Sequence, residues 1–153
     1  MPLPTHHPAS LMRRLSAAFY ESALVFGIYF VPAYLFLSLS QTRLEDTVQG
    51  GPRLWVFQGF IFVVFGVYFA WSWSQGRRTL PQKTWGLRIL MANGQPLTQA
   101  RALTRYTLAW VSVLAGFLGF FYAYVDKEQA FLHDRLLGTR IFIDETGSAY
   151  GKK

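Results

Sequence analysis

Leu54 to Trp73 reads LWVFQGFIFVVFGVYFAWSW, a run of twenty residues without a formal charge. At about 1.5 Å per residue, a helix of that length covers roughly 30 Å, the depth of a bilayer's hydrocarbon core. Trp55 stands at one end, with Trp71 and Trp73 at the other, where indole rings favour the headgroup level. Gly66 and Ala70 lie four residues apart, and Gly59 sits two turns earlier on a similar face. Small residues so placed let a neighbouring helix approach closely. A soluble core helix this apolar needs protein on every side, which a chain of 153 residues does not supply. The stretch therefore predicts a transmembrane helix.

Upstream, Leu15 to Leu39 is nearly as apolar and predicts a first span, kinked near Pro32. Arg13 and Arg14 precede it like the basic start of a signal peptide. A signal's apolar region runs only about 7–15 residues, however, and this one is longer and contains Glu21. Downstream, Ala102 to Val125 forms a third apolar region, ALTRYTLAWVSVLAGFLGFFYAYV, with Arg105 near its start and Gly116 and Gly119 inside it. It is either a single crossing or a re-entrant hairpin turning near AGFLG, its backbone shielded by protein.

Charge placement bears on that choice. Arg13 and Arg14 precede the first span, and Arg43 and Arg53 lie between the first and second. Arg77, Arg78, Lys83, Arg88, Arg101 and Arg105 follow the second, and five more Lys/Arg follow Val125. Three crossings divide these cations eight against seven, whereas a returning third region divides them thirteen against two. The positive-inside tendency favours the return, with a cytoplasmic N-terminus. In LRILMANGQPLT, an apolar run leads into Asn93-Gly94, a dipeptide that favours a tight type I′ turn. Gly138 to Asp144, GTRIFID, alternates like a short strand. If Leu87–Leu90 pairs with Thr139–Ile143, a small β pair lies on the cytoplasmic side; otherwise these are two unrelated loops. The expected fold is thus an all-α integral membrane protein with two full spans, a third apolar region and that possible β pair.

Hydrophobic residues make up 52% of the chain and charged residues 15%, against roughly 25% charged in a soluble domain. There is no cysteine, which excludes disulfides and thiolate metal sites. The net charge of +7 does not indicate nucleic acid, because the basic residues flank apolar runs instead of forming a solvated face. The expected partner is the bilayer itself, its anionic headgroups met by Arg77, Arg78, Lys83 and Arg88 in a segment, Ser74 to Arg105, without an acid. His133-Asp134 resembles part of a metal-hydrolase motif, but the other histidines are His6 and His7 near the N-terminus, so no metal is expected. QKTWG lacks the glycines of a phosphate loop, and no catalytic set stands out. Neither enzymatic activity nor a cofactor is expected. Residues 1–12, with three prolines, read as a flexible leader, 13–144 as the membrane domain and 145–153 as a polar tail.

Three segments occur in a telling order: RRLSAAFYE entering the first span, TLPQKTWGLRILMANGQPLTQARALTRY after the second, and FLHDRLLGTRIFID near the end. Together they resemble the RDD family of bacterial membrane proteins, named for one arginine and two aspartates, over about Arg13 to Ile143. The resemblance implies that Arg14 takes the arginine's role, Glu21 the first aspartate's place and Asp134 the second's. Glutamate keeps the charge and extends its reach by one methylene. Gln82 stands where the family often has glycine. The resemblance implies a multi-pass protein of the bacterial cytoplasmic (inner) membrane; transport of ions or small ligands has been proposed for the family.

A bare carboxylate in hydrocarbon costs about 2.5–3.5 kcal/mol near a helix centre, and less one or two turns in, where Glu21 lies. Arg14, at i−7, is roughly 10 Å away along the axis, so pairing requires both side chains to lean together. Arg105, an arginine of a second protomer, or a proton are the other candidate companions. Asp134 is expected at the interface, capping or pairing with loop arginines. Two functions stay open. One is a transport subunit, a homo-oligomer with Glu21 on the path. The other is a non-enzymatic scaffold or assembly partner, in which Arg14, Glu21, Arg105 and Asp134 form a structural clasp and the Gly66/Ala70 face meets another membrane protein.

Overall fold

Ser10 opens the first helix by accepting the Arg13 N–H on its side chain at 3.4 Å. In the computed structural model, which describes residues 9–115, 118–126 and 130–143, this helix, α1 (Leu11–Ser40), runs unbroken through Pro32. Contacts to the rest of the fold start before residue 13: Ala9 is buried, and its N–H donates to the Ile141 carbonyl at 3.0 Å. The remainder of the leader and the tail lie outside the described residues. After the short α2 (Leu44–Val48), Pro52 starts α3 (Pro52–Trp73), where its missing N–H costs no hydrogen bond.

Both long helices have the length and apolar composition to cross a membrane. Only 6% of the most apolar window of α1 and 22% of that of α3 are buried, so most of each lies on the surface of the chain. Their apolar side chains, such as Phe26, Phe30, Val31, Val63 and Val67, face outward.

The third apolar region is two helices, not one. Thr98 caps α5 (Gln99–Leu114), which ends at Ala115; α6 (Leu118–Val125) packs back against it, and α7 (Leu132–Leu137) packs on both. Sixteen residues make α5 about 24 Å long, short of a bilayer core. Two strands bracket this excursion. β1 (Leu87–Met91), which follows α4 (Leu80–Thr84), pairs antiparallel with β2 (Thr139–Ile143), in a register from Leu87↔Ile143 to Met91↔Thr139. The Ala92 N–H also donates to the Gly138 carbonyl at 2.8 Å. The chain therefore leaves the sheet after Met91 and returns to the same point at Thr139, as the expected pairing requires.

The turn at Asn93-Gly94 is not type I′, since Asn93 does not take a positive φ; Gly94 alone does, at 80°. The Gly94 N–H closes on the Met91 carbonyl, and the Met91 N–H on that of Gln95, each at 2.8 Å, making a three-residue loop with its left-handed residue last. The Asn93 side chain accepts the Gln95 N–H at 3.1 Å, which suits an ordinary φ.

The core sits where α3, α5 and the sheet meet: Phe65, Phe69 and Trp73 pack with Ile89, Leu97, Ala102 and Tyr106. Trp73 is consequently buried, unlike the exposed Trp55 and Trp71, and belongs to the core instead of a headgroup belt.

Candidate functional site

The buried face of α5 carries Ala102, Arg105 and Tyr106, at i, i+3 and i+4. Arg105, 5% exposed, is thereby turned into the protein. Its Nε donates to Asp134 Oδ1 at 2.6 Å and its Nη2 to Oδ2 at 3.2 Å, a two-pronged pair. The guanidinium lies 4.5 Å over the Trp73 ring. Asp134, 1% exposed on α7, also accepts the Thr139 hydroxyl at 2.9 Å. Burial pushes the Asp134 carboxyl up, but the Arg105 charge, with His133 and the hydrogen bonds from Arg105 and Thr139, outweighs it. The group is held below the ordinary carboxylate range. His133 stacks on Phe131, with Nε2 3.9 Å from Asp134 Oδ2. Burial lowers its pKa most; Asp134 opposes this and Arg105 adds to it, leaving a value of about 4. The imidazole is neutral at pH 7.

Glu21, partly buried on α1, accepts the Thr79 hydroxyl on Oε2 at 2.6 Å. Thr79 is the N-cap of α4 in a reciprocal box with Gln82: the Thr79 N–H donates to Gln82 Oε1 at 3.0 Å, and the Gln82 N–H donates to Thr79 Oγ1 at 3.4 Å. One hydroxyl thus accepts from α4 and gives its single hydrogen to α1. Glu21 Oε1 is shielded from solvent and has no hydrogen-bond partner among the described residues. The side chain lies within electrostatic reach of Arg105 and borders a cleft of about 300 Å³ between α1 and α3, lined by Val25, Ile28, Val64, Phe65 and Tyr68.

Arg14 is buried at the start of α1, its guanidinium 5.5 Å from the Phe131 ring centroid and within electrostatic reach of Asp134 and Asp126. Arg14 and Glu21 are not joined: one faces α7 and the other meets the α4 cap. Arg105, another companion open to Glu21 in the sequence, pairs with Asp134 instead. Thr79, Thr139 and Asp126 also belong to the network, though no motif singled them out. Asp126 binds Arg135 Nη1 through Oδ1 at 2.8 Å and accepts the Ala130 N–H on Oδ2 at 2.9 Å. Its signal was an acid directly after an apolar run, nine residues before an arginine.

The remaining candidates lie apart from this network. A Cβ on Gly66 would come 3.3 Å from Tyr106 Cε1, so the small-residue face with partly buried Ala70 serves α3–α5 packing within the chain. Gly59 has nothing within 4 Å of its Cβ position. Arg77 closes the end of α3: Nε donates to the Trp71 carbonyl (2.8 Å), Nη1 to Gln75 Oε1 (2.8 Å) and Nη2 to Ser74 Oγ (3.0 Å). Arg78 and Arg88 are partly buried and engaged in contacts of their own, while Lys83 is exposed.

A family model, that of the RDD family, matches residues 8–138, which hold Arg14, Glu21, Arg105 and Asp134. The chain belongs to the RDD family. No curated protein and no solved structure matches it. In this RDD protein Asp134 forms a closed clasp with Arg105, whereas one oxygen of Glu21 has no hydrogen-bond partner among the described residues. Among the described residues, no group of three or more acids and histidines is placed to hold a metal ion.

Proposed function

We propose that this RDD protein sits in the bacterial cytoplasmic membrane and carries ions or protons across it, with Glu21 as the group that takes the charge. The observation that carries the reading is the contrast between the two carboxylates. Asp134 is saturated by Arg105 and Thr139, so its interactions hold α5, α7 and β2 together. Glu21 keeps a sheltered oxygen without a donor among the described residues, beside a cleft between the two longest helices. An acceptor left unfilled in a low-dielectric site favours a proton or a cation.

Both long helices cross in this reading, and the α5–α6 excursion re-enters the side from which it came, because β1 and β2 bind each other. Thirteen of the fifteen Lys/Arg then lie on the cytoplasmic side, with the N-terminus. Two crossings do not enclose a path, so the working unit is a homo-oligomer. The scaffold alternative loses its expected docking face, since Gly66 is already covered by Tyr106.

Reconstitution of the purified protein into liposomes tests the proposal. Proton or monovalent-cation flux above that of empty liposomes is expected. Liposomes that stay as tight as empty ones under gradients of H⁺, Na⁺ and K⁺ would leave the scaffold reading. Reporters placed after Ser40 and after Lys153 should fall on opposite sides of the membrane.

A further inference from the structure

A second groove, of about 610 Å³, lies between α1 and α4, away from the α1–α3 cleft. Leu15, Phe19 and Ala23 give its α1 side an apolar strip, with Phe19 largely exposed, next to Ser16 and Tyr20; Thr84 and the partly exposed indole of Trp85 line its α4 side. Two cations adjoin these residues. Lys83 directly precedes Thr84 and is exposed. Arg13 lies one turn before Ser16 and two before Tyr20, which also lines the groove, and so shares their helix face. Neither cationic side chain has a hydrogen-bond or ion-pair partner among the described residues, whereas Arg77, Arg78, Arg88 and Arg105 are all engaged. The groove thus has an open apolar strip along α1 as its floor, a hydroxyl and an indole suited to the headgroup level, and beside it two positive charges without partners among the described residues.

We infer that this groove is a binding site for an anionic phospholipid of the surrounding bilayer. The phosphate meets Arg13 and Lys83 and accepts from the Ser16 hydroxyl, while one acyl chain lies along Leu15, Phe19 and Ala23; the Thr84 hydroxyl is already committed to the Leu80 carbonyl at 3.0 Å. A zwitterionic lipid fits the floor equally well but brings a cation to the two side chains, so charge decides between lipids. The acyl chain covers the α1 face turned away from Glu21, and the headgroup bridges α1 to the segment that carries Thr79. The site needs the chain to lie in a membrane but does not depend on transport. Membrane residence is read separately, by whether the protein stays in the bilayer after an alkaline wash.

The test is native mass spectrometry of the detergent-purified full chain, loaded with equal amounts of phosphatidylglycerol and phosphatidylcholine of the same chain length. The expected result is a preference of about tenfold for phosphatidylglycerol, from two headgroup-facing charges. That preference is lost in the double variant Arg13→Gln/Lys83→Gln, which removes the charges, and in Ala23→Trp, which fills the floor. It persists in Arg101→Gln, which neutralises an exposed arginine elsewhere. Equal retention of the two lipids by the unmodified protein overturns the inference. So does a preference that survives in either groove variant, because it then belongs to another basic surface. Should one variant not fold, the other and the unmodified protein still decide.

Discussion

Arg105 and Asp134, twenty-nine residues apart in sequence, form a two-pronged ion pair with a shortest contact of 2.6 Å, almost wholly out of solvent. The pair spans the base of the α5–α7 excursion, and Thr139 ties it to the first residue of β2. A buried pair owes its persistence to completeness: each charge is costly without the other. The clasp and the sheet therefore act together, fixing where the excursion returns.

Removing one half of the clasp should destabilise the protein severely. Asp134→Ala leaves Arg105 buried without a counter-ion, at an expected cost of about 3–5 kcal/mol. Thermal unfolding in detergent should show the loss, and Arg105→Met combined with Asp134→Leu should recover most of it. A single variant as stable as the parent protein would mean that the pair bears no weight.

Acid should loosen the same region before it reaches any carboxylate. His133 is held neutral, with its pKa lowered from 6.5 to about 4, so between those values the unfolded chain binds a proton that the folded chain refuses. Stability then falls as pH drops from about 6.5 towards 4, by about 3 kcal/mol in all. The depressed Asp134 carboxyl acts in the same direction at lower pH: its contribution, complete above the ordinary carboxylate value, is lost as pH falls through its folded value. Unfolding midpoints measured from pH 7.5 to 4.5 should decline, and in His133→Gln the decline should flatten. An unchanged slope in that variant would place the sensitivity elsewhere.

Thr79 should tolerate serine and reject valine. Serine keeps both the cap on α4 and the hydrogen bond to Glu21; valine keeps the shape and loses both. Loss of an N-cap costs about 0.5–2 kcal/mol, and a sheltered carboxylate stripped of its donor adds to that. Equal thermal midpoints for Thr79→Val and Thr79→Ser would show the hydroxyl to be idle.

The two α3 glycines should respond in opposite ways. Gly66→Val drives a side chain into Tyr106, whose hydroxyl is anchored to the Phe62 carbonyl at 3.1 Å and whose ring stacks on Phe69, so the neighbour has little room to move. An overpacking cost of about 1–3 kcal/mol is expected. Gly59→Ala meets open space inside a helix and should stabilise by about 0.5–1 kcal/mol. Comparable losses at both would mean that Gly59 has a partner of its own.

Much of this fold could be read in the sequence because bilayer length and strand alternation are local signals. The uncharged run ending at Trp73 and the paired segments at Leu87 and Thr139 announced themselves within a few residues. The site was harder. The acid at Glu21 was conspicuous, but its donor lies fifty-eight residues away, and TLPQ reads as nothing more than a helix start. That Thr79 has a hydrogen to spare appears only once α4 is laid against α1. Trp73 misled for a related reason: an indole at the end of an apolar run resembles a headgroup anchor until Arg105 is found to cover it. Arg14 and Glu21 share a helix face, yet tertiary contacts at either end draw them apart.

The division of labour between the two acids is tested most directly by flux through liposomes containing Glu21→Gln, normalised to protein that retains the parent's thermal midpoint. Glutamine keeps an oxygen for the Thr79 hydroxyl and removes the charge. That division predicts an intact fold and a loss of proton or cation flux to the level of empty liposomes. Flux undiminished in a folded Glu21→Gln protein would contradict it, and would return Glu21 to the same structural standing as Asp134.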